Sequence, residues 1–410
     1  MWKKKIEEIK KYIILDTEVD SFDNVKKEIV CMRYSHDYVI TDSKAYREKL
    51  TELYSPLKAK RISMKKFEDI LIQEIISFYC ENKQTLEINE KIEEIKNQDY
   101  HVLLPLYKVT LKVPQDKLGE WTVVNYKNRW NYIATVLNQG LPEKFPMDNC
   151  GWSCSDNLAF IDIIVNAKDE EFAQESASLT HQSIVNALNF MFFQNEGKLK
   201  ITAQNKQWGD EQYFVVSSEF LSQNTYADNV DETFQLDEYL TFLNNQQKGN
   251  YKIFSIIRKE KPENIIEEKL VTAINWIGMA IAERNTSIAF VQAMFAIETL
   301  LQNDIKGEPI TKSIVATIAE AIAFIMGSDY ESRKFLEKDF KRLYGLRSKI
   351  AHGKGNDVSG ADLDRVIYLA RNLVYSFIKK PEIREAKSMI MITNYIEKMR
   401  YTTSIEQEAK

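Results

Sequence analysis

Residues 262–301 read PENIIEEKLVTAINWIGMAIAERNTSIAFVQAMFAIETLL, and this stretch carries the clearest folding signal in the chain. Pro262 suits a first helical position, because its ring fixes the backbone and its missing N–H is not needed there. Apolar side chains then return every three or four residues, at Ile266, Leu270, Ile274, Ile277 and Ile281. This spacing predicts an amphipathic helix that buries one face.

Four more helices are predicted after it. The capping cluster Asn285-Thr286-Ser287 indicates a second helix, whose expected core residues are Phe290, Met294, Ile297 and Leu301. A third is expected from near Thr311, after Pro309, through Ile314, Ile318, Ile322 and Ile325, with Gly327 as its terminating glycine. The fourth runs from about Glu331 towards His352, and the fifth from about Ala361 to Ile378. Helices joined by short loops predict an all-α bundle over residues 260–405.

The hydrophobic period is different upstream. Apolar and polar residues alternate from Tyr107 to Val113, which predicts a half-buried strand. Shorter strand signals recur at 121–126, 160–165, 199–203 and 213–217, with a long helix expected over 170–193 and mostly helix over 1–98. We therefore predict an α+β protein, in which a mixed α/β domain with one sheet spans residues 1–255 and the helical bundle follows.

Composition limits the possible classes of protein. With 44% hydrophobic and 28% charged residues, the chain matches an ordinary globular protein. Its 410 residues suggest two or three domains, and two is the working number. The start, MWKKKI, lacks the apolar region of a secretory signal, and no run reaches the roughly 18 apolar residues of a membrane helix. We expect a cytoplasmic protein without membrane contact. The net charge of −5 argues against a broadly basic surface, so any contact with nucleic acid should be local.

The cysteines and histidines give weak signals. Cys31 and Cys80 are isolated, and Cys150 and Cys154 lie close together without a second Cys or His pair at metal-ligand spacing. Two ordinary thiols near a turn are therefore favoured over a zinc site, and no metal or cofactor is predicted. A metalloenzyme in the N-terminal domain stays as a third hypothesis, which would require stoichiometric metal. No motif surrounds His36, His101 or His181, which are read as ordinary residues.

Residues 342–353 read RLYGLRSKIAHG and contain the candidate catalytic residues. Arg347 is followed at once by a polar residue, Ser348, and four residues separate Arg347 from His352. Together with Leu343-Tyr344, Gly353 and the upstream AMFAIE at 293–298, this segment resembles the HEPN superfamily (higher-eukaryote and prokaryote nucleotide-binding), in particular its Apea-like branch. The resemblance covers roughly residues 285–380, so the predicted bundle is HEPN-like.

The resemblance implies a metal-independent endoribonuclease that cuts RNA by attack of its own 2′-hydroxyl. Arg347 would hold the phosphate and stabilise its charge, because a guanidinium donates two parallel hydrogen bonds. His352 would move protons, because imidazole titrates near neutral pH. The family also implies a homodimer through the C-terminal domain and a toxin-like, abortive-infection role in antiviral defence against phage. The N-terminal domain would then sense a phage-derived or regulatory trigger or hold the nuclease in check.

The two catalytic residues are five positions apart, or about 140° around an ideal helix, so a regular helix would not place them on one face. Gly353 permits a left-handed helix end that would free His352. Glu298 lies on an apolar helix face, where an unpaired carboxylate is costly, so we expect it to pair with Arg347. Tyr344 is expected to fill core or interface space, with base stacking as the minority interpretation.

The segment 331–354 contains eight Lys or Arg against three acidic residues. This predicts an RNA-binding face with Arg342, Lys349 and Lys354 as contacts, although a merely solvated helix surface would show the same pattern. Arg347 can equally be a structural ion-pair partner, and His352 can sit at a helix end because the helix dipole favours a cation there. The alternative function is therefore a catalytically silent HEPN dimerisation or ligand-binding module.

Overall fold

The computed structural model describes residues 2–15, 38–81, 83–137, 157–192, 201, 213–217, 221–224, 234–247, 249–259, 261–302, 314–353 and 358–401. It confirms the α+β class, with a sheet in the N-terminal half and a helical C-terminal region. Contacts group the chain into two units, one of residues 1–102, 164–177 and 214–222, the other of 103–163, 178–213 and 223–410. The division at residues 255–260 expected from the sequence stays a prediction.

Up to residue 235 the chain mixes helices and strands. Its elements are α1 (Trp2–Lys10), β1 (Ile13–Leu15), β2 (Tyr38–Ile40), α2 (Ser43–Tyr54), α3 (Met64–Cys80), α4 (Ile88–Glu94), β3 (Gln98–Thr110), β4 (Gln115–Leu118), β5 (Trp121–Asn125), α5 (Arg129–Leu137), β6 (Leu158–Ala167), α6 (Glu170–Phe192), β7 (Tyr213–Val216), β8 (Leu221–Asn224) and β9 (Phe234–Gln235). The larger sheet has the order β4-β5-β6-β3-β7-β8, and β9 pairs with β3. Strands β1 and β2 form a separate antiparallel pair, which the sequence did not predict.

From residue 240 onward the elements that the structure describes are helical, as predicted for residues 260–405. Its helices are α7 (Leu240–Leu243), α8 (Gly249–Ile257), α9 (Ile265–Ala282), α10 (Thr286–Leu301), α11 (Ile314–Met326), α12 (Tyr330–Ala351), α13 (Gly360–Lys379), α14 (Pro381–Arg384) and α15 (Met389–Tyr401). No helix in the described part of the chain combines the length and the apolar character needed to cross a bilayer.

Strand β3 lies earlier in the chain than the alternation predicted. It begins at Gln98 and ends at Thr110, and Val113 is 39% exposed instead of buried. The ladder ends here because the carboxylate of Asp237 accepts the backbone N–H groups of Lys112 and Val113 at 2.9 and 3.1 Å. The strands predicted at 121–126, 160–165 and 213–217 and the helix at 170–193 are confirmed within a few residues. Of the strand predicted at 199–203, all but Ile201 lies outside the described residues.

Helix α9 begins later than Pro262, so the prediction for that proline was wrong. Asn264 caps the helix, because its side-chain oxygen accepts the N–H groups of Ile266 and Glu267 at 3.0 and 3.1 Å. The predicted apolar stripe is buried throughout. Asn285 caps α10 in the same way, and all four predicted core residues of that helix are buried.

Helix α11 departs from the prediction at both ends. The expected start near Thr311 lies outside the described residues, and Ile314, the first of its four isoleucines, is 56% exposed while the other three are buried. The helix stops before Gly327 as predicted, but Gly327 does not adopt a left-handed conformation. Glycine is needed there for space, because a β-carbon would lie 2.7 Å from both the carbonyl oxygen of Ala323 and Cγ of Arg333.

The first unit has its own apolar core. Buried side chains from α1, α2, α3 and α4 pack together in it, among them Ile6, Leu50, Phe67, Ile75 and Ile92. The second unit joins part of the sheet to the helical bundle. In it, Arg371 of α13 donates from Nε and Nη2 to the carbonyl oxygens of Phe190 and Met191 at 2.7 and 3.2 Å, near the end of α6. These bonds satisfy carbonyls that a helix end leaves without partners.

Candidate functional site

Helix α12 carries both residues of the Arg347/His352 motif near its C-terminal end. A capping box fixes its start, because Asp329 accepts the N–H of Ser332 at 2.9 Å while the Ser332 hydroxyl accepts the N–H of Asp329 at 3.0 Å. The helix ends at Ala351, and His352 is its C-cap. The motif therefore lies at the end of a helix whose other end is firmly capped.

Gly353 ends α12 in the left-handed conformation that the sequence predicted. Its φ is +65°, and its N–H donates to the carbonyl oxygen of Ile350 at 3.0 Å. The N–H of His352 donates to the carbonyl oxygen of Ser348 at 3.1 Å. A residue with a β-carbon would be strained at this φ, so glycine is what allows the chain to leave the helix directly after His352.

Arg347 and Glu298 form the ion pair expected from the sequence. Nε of Arg347 lies 3.3 Å from Oε1 of Glu298, and Nη2 donates to Oε2 at 3.4 Å. The two side chains are 25% and 15% exposed, so the pair is largely shielded from solvent. The Nε and Oε1 atoms are close but misaligned, and neither makes a hydrogen bond to any described residue.

Two aromatic rings flank the guanidinium of Arg347. Its Cζ lies 5.6 Å from the ring centre of Phe295 and 5.7 Å from that of Tyr344, within cation–π range. Trp276 of α9 packs edge-on against Phe295, with 5.3 Å between ring centres. Tyr344 is half-buried against Arg347 and Phe340, which agrees with a packing role.

Burial raises the pKa of Glu298 above its usual value, and the nearby Arg347 opposes that rise. The net rise means that solvent exclusion outweighs the attraction of the guanidinium. Because the pair has two misaligned buried atoms, it does not provide the full stabilisation of a well-aligned bidentate pair.

His352 differs from Arg347 in its surroundings. The residue is exposed, and its ring makes no hydrogen bond or ion pair within the described ranges. Ser348 is half-buried, and its carbonyl oxygen anchors the backbone of His352. Among described residues no hydrogen bond joins Arg347 to His352, and His352 lies just beyond the last helical residue. On an ideal helix their five-residue spacing corresponds to about 140°. One chain therefore offers a fixed guanidinium and an accessible imidazole near the same helix end, with no hydrogen bond between them.

The basic face counted from the sequence is partly neutralised. Arg342 pairs with Asp362 of α13 and with Asp339, and Lys341 pairs with Glu337. Asp362 and Glu298 come from other helices and add two carboxylates that the segment 331–354 does not contain. Lys349 is exposed and has no ion-pair partner among the described residues. Lys354 lies outside the described residues.

Possible metal ligands elsewhere in the chain do not cluster where the structure describes them. Within the described ranges no group of three His, Cys, Asp or Glu side chains lies at metal-binding distance. Cys31, His36, Cys150 and Cys154 are outside those ranges. His181, read from the sequence as ordinary, is deeply buried, and this burial lowers its pKa to about 4.

The sequence identified Arg347 and Glu298 and placed Phe295 on the same helix face, three residues before Glu298, but it did not reveal two further neighbours. Trp276 and Asp362 come from other helices and left no local signal.

Comparison of the chain with protein-family models, curated proteins and solved structures gave no match in any of the three.

Proposed function

We propose that the chain is a metal-independent endoribonuclease of the HEPN type, with Arg347 and His352 as its catalytic residues. The observation that supports this most is the geometry at the end of α12. A shielded guanidinium is held by Glu298, and the left-handed Gly353 leaves an exposed imidazole only five residues away. Both groups that phosphodiester cleavage needs are thus present near one helix end.

The proposed reaction uses the substrate's own 2′-hydroxyl. The bond between O2′ and phosphorus forms while the bond between phosphorus and O5′ breaks, which yields a 2′,3′-cyclic phosphate and a 5′-hydroxyl. His352 takes the proton of the attacking hydroxyl or supplies one to the leaving oxygen. Arg347 stabilises the negative charge that develops on the phosphate oxygens.

A second copy of the chain is part of the proposal. The five-residue spacing of Arg347 and His352 corresponds to about 140° on an ideal helix, so a site that uses both at one phosphate is easier to build where two helix ends meet. We place this contact in the C-terminal helical domain.

The proposed partner is RNA, and the proposed setting is toxin-like antiviral defence in the cytoplasm. The N-terminal part is assigned to sensing a phage-derived or regulatory trigger.

A catalytically silent binding module is the second candidate. It is favoured by the contacts of Arg347 itself, because an arginine that pairs with a half-buried carboxylate between two rings also fits a structural role. In that case His352 would be only the residue at the helix end. The two candidates differ in whether substitution of His352 abolishes an activity or leaves the protein unchanged.

The test is cleavage of total RNA by the purified full-length chain in excess chelator. We expect the wild type to cut, and His352→Ala and Arg347→Ala to lose at least about a hundredfold in rate, as expected for removal of an acid–base group or a charge-stabilising donor. Arg384→Ala, which removes an exposed arginine that pairs with its neighbour Glu385, is the matched control and should retain activity. Equal rates for wild type and His352→Ala would favour the binding module.

A further inference from the structure

The ion pair with Glu298 uses one particular edge of the Arg347 guanidinium. Glu298 faces Nε and Nη2, at 3.3 and 3.4 Å. Nη1 makes no hydrogen bond to any residue that the structure describes. The edge formed by Nη1 and the outer N–H of Nη2 is therefore the one left to bind another group, and it has the fork geometry that matches two oxygens of a phosphate.

The surroundings of Arg347 restrict how this free edge can turn. Phe295 precedes Glu298 by one turn on α10, and Tyr344 precedes Arg347 by one turn on α12. Their ring centres lie 5.6 and 5.7 Å from the guanidinium carbon. The same two helices thus supply the carboxylate, the guanidinium and both rings, so the direction of the free edge is set by helix packing.

Glu298 also sets the charge that an incoming phosphate meets. Its carboxylate balances the single positive charge of Arg347, and Arg342 on the same helix is already paired with Asp339 and Asp362. A phosphate at the free edge therefore gains directed hydrogen bonds from an arginine whose own charge is already balanced. Each negative charge on that phosphate is also repelled by the carboxylate on the other side of the guanidinium.

We infer that Glu298 makes Arg347 selective for the singly charged phosphodiester inside an RNA chain over doubly charged terminal or free phosphate. Glu298 acts as a positioning and specificity-determining residue and does not touch the reacting atoms. This inference rests on the proposed role of Arg347 as the phosphate-binding group. It adds that the site accepts internal linkages and rejects mononucleotides and inorganic phosphate as competitors.

The expected size of the selectivity follows from Coulomb's law. One unit charge a few ångströms beyond the guanidinium, in surroundings between protein surface and water, changes affinity on the order of tenfold per unit charge of the ligand. Removal of the Glu298 charge should therefore raise the affinity for a monoanion roughly tenfold and that for a dianion roughly a hundredfold. The preference for the monoanion then falls by about tenfold.

The experiment measures binding by calorimetry at pH 8 and does not depend on cleavage. The probes are inorganic phosphate, which is mostly a dianion at this pH, and a deoxyribodinucleotide with one internal phosphodiester and no terminal phosphate. We expect the wild type to prefer the dinucleotide, and Glu298→Gln to lose about tenfold of that preference. Glu298→Asp keeps the charge and should keep the preference. Because it also alters the side chain, it shows whether a loss in Glu298→Gln comes from the missing charge or from a change in structure.

Two further variants complete the design. Glu337→Gln removes one negative charge from α12 at the pair with Lys341, away from Arg347, and should leave the preference within about twofold. Glu298→Gln combined with Arg347→Met should bind both probes weakly. The inference is overturned if Glu298→Gln changes both probes equally, or if Glu337→Gln shifts the preference as much. Preserved selectivity without RNA cleavage would refute the nuclease and leave this inference standing.

Discussion

The buried histidine of α6 makes a quantitative prediction about acid stability. The imidazole of His181 forms a hydrogen bond with the backbone of Pro105. Proline has no N–H, so the imidazole must be the donor. The Nε2 atom of His181 has no partner in the described part of the chain. Burial lowers the pKa from 6.5 to about 4 because the imidazolium would lose its hydration. The folded protein therefore holds His181 neutral where the unfolded chain already binds a proton.

The sign and size of the effect follow from proton linkage. Because the folded pKa lies below the unfolded one, the contribution to stability is complete above pH 6.5 and is lost as pH falls towards 4. With about 1.4 kcal/mol for each pH unit, the whole loss is about 3 kcal/mol. Between pH 7.5 and pH 5 the expected loss is about 2 kcal/mol.

Urea unfolding of the wild type and of His181→Gln at a series of pH values measures this contribution. Glutamine does not titrate and keeps a side-chain donor, and subtracting the two curves removes the carboxylates that both proteins share. The wild type should lose about 2 kcal/mol more than His181→Gln between pH 7.5 and pH 5, whatever their difference at pH 7.5. Parallel curves would show that burial does not suppress protonation of His181, and the reasoning would be wrong.

Two further predictions concern packing and are checked by urea unfolding at pH 7.5. Gly278→Ala should destabilise the protein by roughly 2–3 kcal/mol, because its β-carbon would lie 2.3 Å from the carbonyl oxygen of Asn186 and push α6 away from α9. Gly345→Ala has open space around its β-carbon and should stabilise α12 by about 0.5–1 kcal/mol. The same sign for both glycines would contradict this account. Arg371→Met should cost roughly 2–3 kcal/mol, because two buried carbonyls of α6 lose their donor, and a loss under about 0.5 kcal/mol would mean that water replaces it.

Helices were predictable from the sequence where their signals are local. The stripe from Ile266 to Ile281 and the cap at Asn285 depend on residues within one or two turns, and both are confirmed. The end of β3 was not predictable, because the carboxylate that takes its last N–H groups belongs to Asp237, more than a hundred residues away. Long-range partners of this kind leave no period in the sequence.

The same distinction holds at the candidate site. The pair of Arg347 with Glu298 was predictable, because a carboxylate on an apolar helix face requires a cation nearby. The left-handed Gly353 was predictable from glycine directly after the helix. The pairing of Arg342 with Asp362 was not, so the sequence overstated the positive charge of α12. The burial of His181 likewise depends on packing that its neighbours in the chain do not reveal.

The proposed chemistry is tested most directly with a synthetic RNA that carries one 2′-deoxy nucleotide at an otherwise cleaved position. It is incubated in excess chelator with the purified full-length chain, and the product ends are identified by mass spectrometry. The proposal predicts that the unmodified linkages are cut to 2′,3′-cyclic phosphate and 5′-hydroxyl ends, that the deoxy linkage stays intact, and that His352→Ala cuts neither. Cleavage at the deoxy linkage, or undiminished cleavage by His352→Ala, would contradict it.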